Sequence, residues 1–344
     1  MKIAIDAHGG DFGIKPNIEA SIRAVKELDV EIAIVGKDSE IRDEFKKIGF
    51  SNLPPRITIV NSTEVIDMGK EPVEECKLKP DSSIMVGCEL VSSKKADAFI
   101  SAGNSGAIMV ASLLKIGRIK GVARPAIAVS FPTEKGFSLL LDAGANMDCR
   151  PYHMFQFAIM GSIYVKNIMG IEKPKVGILS IGEEETKGNS IVIETIGLLK
   201  NCSSIDFYGP IEGRDIPYQI VDVIVTDGFT GNIVLKLSEG LARFLFSNIK
   251  KEIDKKWFYK IGALILKKIF VELKKKSDPD EFGGAPLLGI DGIVIVSHGK
   301  SSSYAMFNAI KNAKNLISQN IIEKIKSEIA KTLEGTKTVV LSED

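Results

Sequence analysis

The feature that most constrains the fold of this chain is the alternation of short apolar segments with longer stretches of helical pattern. Apolar segments such as 139–141 and 223–225 lack the regular alternation of polar and apolar side chains that marks a strand with one solvated face. We expect them to be strands covered on both faces, in a largely parallel sheet with helices on both sides. The expected strands are Lys2–Asp6, Glu31–Gly36, Arg56–Asn61, Ala98–Ser101, Ala126–Phe131, Ser138–Asp142, Lys175–Ile181, Asp222–Thr226 and Ile293–Ser297.

Helical patterns fill the intervals between these strands, and no internal repeat or low-complexity linker separates them. A length of 344 residues allows one large core, so we expect a single α/β domain over residues 1–344 that consists of two closely joined lobes. A helical hairpin is expected as an insertion over about 240–276. The expected helices are roughly Pro16–Leu28, Ser82–Lys95, Ser105–Ile116, Pro151–Met169, Asn189–Leu199, a long tract Gly231–Lys276, and a last tract Ser303–Leu333.

Charge and cysteine content narrow the functional classes. The formal net charge is +1, which argues against a nucleic-acid-binding protein. The cysteines are scattered, without a CxxC pair, and are expected to be reduced thiols. The chain begins with a strand pattern rather than a signal sequence, and it has no run of about 18 apolar residues. These features predict a cytoplasmic protein that contacts a membrane only from outside.

Five polar, glycine-bearing segments follow expected strands, and they are the best candidates for a binding site. Ligands of open α/β sheets bind beyond the carboxyl ends of the strands. Glycine lets the backbone approach an anion closely, and the free N–H groups at the start of a helix are donors for it. Together the segments indicate an anion site along one border of the sheet. They span residues 6–11, 101–106, 142–146, 182–189 and 227–232.

The usual nucleotide and nucleophile motifs are missing from the sequence. No G-x-G-x-x-G follows the first strand, no Walker A sequence is present, and the segment around Ser105 does not match G-x-S-x-G. Either His8 or His298 is a candidate to face the cleft, whereas His153 is expected to be structural. The acidic run Glu183–Glu185 is interpreted as solvated carboxylates rather than a metal site. We therefore expect no metal and no cofactor.

The segment Lys255–Lys276 has a different character from the rest of the chain. It contains eight lysines, the only tryptophan and the apolar run Ile261–Leu266. This combination suits a helical hairpin whose tip lies among the headgroups of an anionic bilayer. Packing on a second copy of the chain, or attraction of an acidic carrier protein, is an open alternative. The expected contact residues are Trp257, Leu264, Ile265, Lys267 and Lys268.

Taken together, the motifs resemble one known family. The sequence is similar to the bacterial phosphate acyltransferases (acyl-ACP:phosphate transacylases), which initiate phospholipid synthesis. One departure is His8, where the family usually has methionine. The matching segments are DAHGGD (6–11), SAGNSGAIM (101–109), LLDAGANMDCRPYHMFQFAIMGSIY (140–164), GILSIGEEETKGN (177–189), EGRDI (212–216), VDVIVTDGFTGNIVLKLSEG (221–240), GGAPLLGIDG (283–292) and SHGKSS (297–302).

The resemblance implies a three-layer α/β/α fold like those of the isocitrate and isopropylmalate dehydrogenases and of phosphate acetyltransferase. It also implies a homodimer that transfers a long acyl chain from acyl carrier protein (ACP) to inorganic phosphate. The acyl-phosphate product would pass to a membrane-bound glycerol-3-phosphate acyltransferase, for which contact with the inner face of the cell membrane is useful.

In such a reaction phosphate is the nucleophile, so no side chain needs to become acylated. The enzyme must orient the phosphate dianion and stabilise the tetrahedral oxyanion. Lys187, Asn232 and Asn104 are the candidate catalytic residues, with Lys187 neutralising phosphate charge. The candidate substrate-binding residues are Ser105, Gly106, Asn146, Asn189, Asp227, Thr230, Gly231, Lys236 and His298.

Three other functions remain open from the sequence. The first is a phosphate acetyltransferase-like enzyme that uses acyl-CoA, and the second is a decarboxylating dehydrogenase on the same scaffold. The third is a non-catalytic membrane scaffold for lipid synthesis. The arginines of the chain are few and do not form the cluster that a dicarboxylate substrate requires, which disfavours the dehydrogenase.

Overall fold

The computed structural model describes residues 1–276 and 279–336. The strands are β1 (Lys2–Asp6), β2 (Glu31–Gly36), β3 (Ile57–Asn61), β4 (Ala98–Ser101), β5 (Ala126–Thr133), β6 (Gly136–Leu141), β7 (Lys175–Leu179), β8 (Asp206–Ile211), β9 (Val223–Val225), β10 (Ala285–Leu288) and β11 (Ile293–Val296). The α-helices are α1 (Lys15–Glu27), α2 (Asp38–Lys47), α3 (Pro72–Leu78), α4 (Ser83–Ser92), α5 (Ser105–Lys115), α6 (Pro151–Tyr164), α7 (Ser190–Lys200), α8 (Gly228–Asp254), α9 (Trp257–Ile265), α10 (Lys267–Lys276), α11 (Ser303–Ser318) and α12 (Ile321–Thr336).

In the described ranges, the strands form one sheet of 11 strands in the order β3-β2-β1-β4-β11-β10-β5-β6-β9-β7-β8. The strands β3, β2, β1, β4 and β11 are parallel to one another, and so are β6, β9, β7 and β8. Between these two groups, β10 is antiparallel to both of its neighbours, and β5 is antiparallel to β6. The predicted mostly parallel α/β sheet is confirmed.

The two parallel groups run in opposite directions, because the tight connection between Thr133 and Gly136 turns the chain back on itself. The carboxyl ends of β1, β4 and β11 therefore face one border of the sheet, and those of β6, β7 and β9 face the other. The expectation that all the polar segments lie along one border is wrong. Segments 101–106, 142–146 and 227–232 meet in the middle of the sheet, where β10 and β5 separate the two groups.

Two strands and two helices were not expected from the sequence pattern. The segment of β8 contains Gly209 and Pro210, which weaken a strand signal but are tolerated here because β8 is an edge strand. The strand β10 has only four residues. Helices α2 and α3 are short, and the long tract expected over Gly231–Lys276 consists of three helices, α8, α9 and α10.

Apolar side chains cover the sheet on both faces, as expected for a three-layer fold. Along β1, Ile3 and Ile5 join one buried cluster, which includes residues of α1, α6, α7, α11 and α12. Ala4, which points to the opposite face, joins a second cluster with residues of α4 and α5. Helix α8 packs on this second face through Val234 and Leu235 near its start, and its remaining turns extend away with α9 and α10.

No helix in the described part of the chain combines the length and the hydropathy that a membrane crossing requires.

The packing of α4 on the sheet depends on one glycine. A Cβ atom at Gly87 would lie 2.1 Å from the Phe99 ring, which is fully buried on β4. We expect Gly87→Ala to lower the free energy of unfolding by about 1–3 kcal/mol or more, because neither the ring nor the helix has room to move. Urea denaturation monitored by circular dichroism measures this change.

Gly197 provides the matched control, since it is also helical but has nothing within 4 Å of an added Cβ. We expect Gly197→Ala to raise the free energy of unfolding by about 0.5–1 kcal/mol. Equal stabilities of the two variants would contradict this account of α4 packing.

Candidate active site

A cavity of about 560 Å³ lies over the middle of the sheet, where the two groups of strands meet. Its apolar lining includes Ile127 and Val129 of β5, Ala285 of β10, Val296 of β11 and Leu235 of α8. The cavity thus combines an apolar floor with a polar rim that comes from both groups of strands. The polar residues of its lining are Ser105, Ser130, Asn232, Lys236, Glu239, Arg243, Asp280, Ser297, His298, Lys300 and Ser301.

Asp142, which directly follows β6, organises one side of the cavity. Its carboxylate is fully buried and accepts four hydrogen bonds: from the backbone N–H groups of Ile127, Ala145 and Asn146, and from the side-chain amide of Asn146. Burial raises the pKa of Asp142, while these four donors act against that rise. The Asn146 amide also donates to the carbonyl of Pro125. Asn146 is therefore a part of the frame, and it does not line the cavity.

The first turn of α8 is seated against this corner. Asp227 caps the helix by accepting hydrogen bonds from the backbone N–H (2.8 Å) and the hydroxyl (2.7 Å) of Thr230. A Cβ atom at Gly231 would lie 1.9 Å from the carbonyl oxygen of Asp142, so only glycine permits this approach. The result is that Asn232 enters the cavity beside Gly144.

The amide of Asn232 makes no hydrogen bond to any residue in the described ranges, so its donors are available to a ligand.

The corner after β4 contributes the start of α5. Asn104 caps this helix by accepting from the backbone N–H of Ala107, and its amide group donates to the carbonyl of Met68 (3.1 Å). A Cβ atom at Gly106 would lie 2.6 Å from Pro72, so this glycine allows α3 and α5 to pack closely. Of the three candidates in this segment, Ser105 alone lines the cavity. It does so at the first residue of α5, where the helix dipole favours an anion.

The loop after β11 completes the rim of the cavity and is hydrogen-bonded to segment 6–11, which follows β1. The backbone N–H of Asp11 donates to the carbonyl of Gly299 (2.6 Å), which links segment 6–11 to the residues that line the cavity. Within the loop, His298 Nδ1 accepts from the backbone N–H of Lys300 (3.0 Å). Nδ1 is thereby occupied, whereas Nε2 remains available. The ammonium group of Lys300 has no ion-pair partner within residues 1–276 and 279–336.

The structure thus divides the residues that the sequence proposed. Ser105, Asn232, Lys236 and His298 line one cavity. Gly106, Asn146, Asp227, Thr230 and Gly231 build the turns around it, and Asn104 caps α5.

Two of the proposed residues lie in the segment 182–189, which does not contribute to the cavity lining. Asn189 caps α7 by accepting from the backbone N–H of Val192 (2.9 Å). Lys187 is exposed, and its ammonium group makes no ion pair within the described ranges. The assignment of Lys187 to the phosphate site therefore stays a prediction.

Several lining residues were not predicted from the sequence, namely Arg243, Glu239, Asp280, Lys300, Ser297 and Ser301. Three of them, Ser297, Lys300 and Ser301, stand in the SHGKSS motif, which was a usable signal.

No group of three or more histidine, cysteine, aspartate or glutamate side chains is placed to hold a metal ion in the part of the chain that the structure describes. A larger groove, of about 740 Å³, lies at the amino-terminal ends of β7 and β8 and involves α6 and α12. None of the residues proposed from the sequence lines it, so the smaller cavity is the candidate active site.

Comparison with known proteins decides the family. Residues 1–324 match the family described as fatty acid synthesis protein. The chain is 52% identical to the phosphate acyltransferase of Elusimicrobium minutum over 330 residues, which are 96% of each protein. It is 48% identical to that of Desulfitobacterium hafniense over 330 residues, 96% of this chain and 98% of the relative. The chain belongs to the phosphate acyltransferase family. The predicted function, an acyltransferase of lipid synthesis, is confirmed, and the dehydrogenase and scaffold alternatives are set aside.

Solved structures agree on the fold of this phosphate acyltransferase. A phosphotransacetylase from Streptococcus pyogenes superposes with a TM-score of 0.63 at 19% identity, covering 92% of this chain and 94% of that one. A 4-hydroxythreonine-4-phosphate dehydrogenase from Klebsiella pneumoniae superposes with a TM-score of 0.52 at 14% identity, covering 92% and 98%. The expected likeness to phosphate acetyltransferase and to a dehydrogenase fold is confirmed.

Of the two histidines considered for the cleft, His298 lines the cavity, whereas His8 links segment 6–11 to α2. Its imidazole side chain is 9% exposed, and Nε2 accepts a hydrogen bond from the backbone N–H of Lys37 (3.0 Å). The Nδ1 atom lies 3.8 Å from Glu40 Oε2. Burial lowers the pKa of His8 below 6.5, while the negative charges of Asp6 and Glu40 oppose that shift. Protonation of Nε2 would remove the acceptor that Lys37 uses.

This geometry predicts a pH-dependent stability. Because the folded state resists protonation of His8, the stability that it contributes is complete above pH 6.5 and falls as the pH drops toward the lowered pKa. We expect His8→Met to make the free energy of unfolding less dependent on pH in this range, as measured by urea denaturation. His153, whose pKa is also lowered by burial, is present in both proteins and cancels in the comparison. Identical pH dependence would show that His8 is not responsible.

Proposed function

We propose that this enzyme transfers an acyl group from the thioester of acyl-ACP to inorganic phosphate and releases acyl phosphate and free ACP. The observation that supports this most directly is the cavity itself. Its apolar floor suits an acyl chain, and its rim carries Lys236, Lys300, the start of α5 at Ser105 and the unpaired amide of Asn232. These are the groups that a reaction between an anion and a thioester requires.

In this mechanism phosphate attacks the thioester carbonyl directly. Lys236, Lys300 and the first turn of α5 hold the phosphate and offset its charge. The tetrahedral intermediate collapses with loss of the ACP thiolate, which leaves readily near neutral pH and needs little acid assistance.

Asn232 donates to the carbonyl oxygen as negative charge develops there. Its position is fixed by the contact of Gly231 with Asp142, so little reorganisation is needed during the reaction.

The reaction can be tested with purified protein, a long-chain acyl-ACP and phosphate, with acyl phosphate and free ACP as the measured products. We expect Asn232→Ala to lower kcat by about 10²- to 10³-fold with little change in either KM, because the lost donor acts mainly on the transition state. Lys236→Ala is expected to raise the KM for phosphate. A trapped acyl-enzyme intermediate, or full activity of Asn232→Ala, would contradict this mechanism.

The same assay decides the proposed role of Lys187. If Lys187 neutralises phosphate, Lys187→Ala raises the KM for phosphate, whereas Lys173→Ala leaves it unchanged. Lys173 is a suitable control because it is also exposed and lines the 740 Å³ groove instead. Unchanged phosphate dependence in folded Lys187→Ala would remove Lys187 from the site.

The choice between ACP and CoA as acyl carrier belongs to this proposal as well. The exposed lysines Lys260, Lys267 and Lys268 and the cations of the rim favour an acidic carrier protein. Side-by-side rates with acyl-ACP and acyl-CoA of the same chain length distinguish the two donors.

We further propose that α9 and α10 bind the inner face of the cell membrane. Trp257, Leu264 and Ile265 are 74%, 70% and 78% exposed, and no residue of α9 is buried. Lys267 and Lys268 at the start of α10 are exposed beside them. Apolar side chains framed by lysines match the headgroup region of an anionic bilayer. There the acyl phosphate would pass to the membrane-bound glycerol-3-phosphate acyltransferase.

Vesicle flotation tests the membrane proposal. We expect the wild-type protein to bind vesicles that contain anionic phospholipid and to release them as the salt concentration rises. The double variant Leu264→Asp, Ile265→Asp should lose binding while its activity on acyl-ACP remains. Activity of the variant is the control for folding. Equal binding of both proteins would refute the assignment of this surface.

A homodimer is proposed on similar grounds. Helix α8 exposes a row of apolar side chains along its middle: Ile233, Leu237, Leu241, Phe244 and Leu245. The row is long and apolar, which suits a second copy of the same helix better than water.

A further inference from the structure

One side of α8 forms a wall of the cavity over about three helical turns. Asn232, Lys236, Glu239 and Arg243 all line the cavity, and their spacing of four, three and four residues keeps them on the same side of the helix. At 1.5 Å per residue, the distance along the helix from Asn232 to Arg243 is about 16 Å. The cavity is thus elongated, with the amide of Asn232 at one end and a guanidinium group at the other.

The guanidinium group of Arg243 forms an ion pair with the carboxylate of Glu239 on the same helix. Glu239 Oε2 lies 3.4 Å from Arg243 Nη2 and 3.5 Å from Lys236 Nζ. The side chain of Glu239 is 15% exposed and that of Arg243 is 71% exposed, so the carboxylate is fixed while the guanidinium faces the open mouth. Arginine has five N–H donors, and its single contact with Glu239 leaves others free for a phosphate group.

This guanidinium is too far from Asn232 to hold the attacking phosphate. About 16 Å of helix separates the two residues, whereas the nucleophile and the oxyanion donor must both be within hydrogen-bond distance of the same carbonyl. Lys236, one turn from Asn232, is close enough for that task. Arg243 therefore needs a different anionic group, one that belongs to the donor substrate.

The acyl donor carries such a group at a fixed distance from its thioester. A phosphopantetheine arm has about thirteen bonds between its phosphorus and its sulfur, and at the reach of an extended chain these span about 15 Å. This length matches the separation of Asn232 and Arg243. Resting on the function proposed above, we propose that Arg243 binds the phosphate of the phosphopantetheine arm. Because the separation of Arg243 and Asn232 along α8 matches the length of the arm, this contact places the thioester beside Asn232.

ACP and CoA both carry this phosphate. Small acyl donors without a carrier therefore show how much the phosphate alone contributes to kcat/KM. The test uses the decanoyl thioesters of phosphopantetheine and of pantetheine, which differ only in the phosphate, with the full-length enzyme and inorganic phosphate. With decanoyl-phosphopantetheine, Arg243→Ala is expected to lower kcat/KM about tenfold, as for loss of a charge-assisted hydrogen bond at an exposed site. With decanoyl-pantetheine, the wild type and Arg243→Ala should be equally active.

Lys250 supplies the control, because it is an exposed cation two turns further along the same side of α8 and does not line the cavity. Lys250→Ala should behave as the wild type with both donors. Arg243→Ala should also leave the KM for phosphate unchanged.

A loss of activity in Arg243→Ala that is equal for the two small donors would overturn the proposal, and so would full activity with decanoyl-phosphopantetheine. Either result leaves the acyltransferase function standing if the wild type forms acyl phosphate. Failure of the wild type to form it from acyl-ACP or from either small donor would instead count against the proposed function. Comparing Arg243→Ala on acyl-ACP and on acyl-CoA then shows which carrier gains more from the contact.

Discussion

The buried carboxylate of Asp142 is the interaction on which the site depends. Removing a carboxylate from water costs several kcal/mol unless donors replace the lost hydration. Here four N–H groups do so, and they come from β5 and from the loop that follows β6. The backbone carbonyl of the same residue contacts Gly231. One residue therefore fixes a loop and the starting point of α8 together, which determines where Asn232, Lys236 and Arg243 lie.

A corresponding arrangement holds the end of β1 in the other group of parallel strands. The carboxylate of Asp6, the buried last residue of β1, accepts from the hydroxyl of Ser101 (2.6 Å) and from the backbone N–H of His8 (3.0 Å). Through Asp11 and Gly299, the same segment supports the loop that carries His298 and Lys300. Because the two groups of parallel strands run in opposite directions, these two corners approach the cavity from opposite sides.

The sequence predicted the strands of the core well, because a short continuous apolar run between turn residues is typical of a strand buried on both faces. It also identified the turns at the strand ends, since glycine and aspartate at the end of a buried strand mark a turn. It did not distinguish an asparagine that lines the cavity from a capping one. Asn104, Asn189 and Asn232 all stand at or near the start of a helix, and only the packing shows that the first two are caps.

The other cavity residues could not be predicted from the sequence, because their positions depend on contacts between distant parts of the chain. The reversal between β5 and β6 decides which strand ends meet, and it lies in a turn of ordinary composition. Arg243 is eleven residues beyond Asn232, in a helix that exposes charged and apolar side chains alike, and its local sequence does not mark it as a cavity residue. Its place in the cavity follows only from the direction that α8 takes once Gly231 is pressed against Asp142.

The continuity of α8 also connects the site to the proposed membrane surface. This helix has 27 residues, which corresponds to about 40 Å, and the eleven residues that follow Arg243, up to the last residue Asp254, cover about 16 Å of that length. A tip seated on a bilayer would therefore hold the mouth of the cavity at a nearly constant height above the lipid. The acyl phosphate has an apolar chain that water solvates poorly, so a short and fixed path to the bilayer lowers the cost of release. On this argument the helix that positions the thioester is also the element that directs the product toward the membrane.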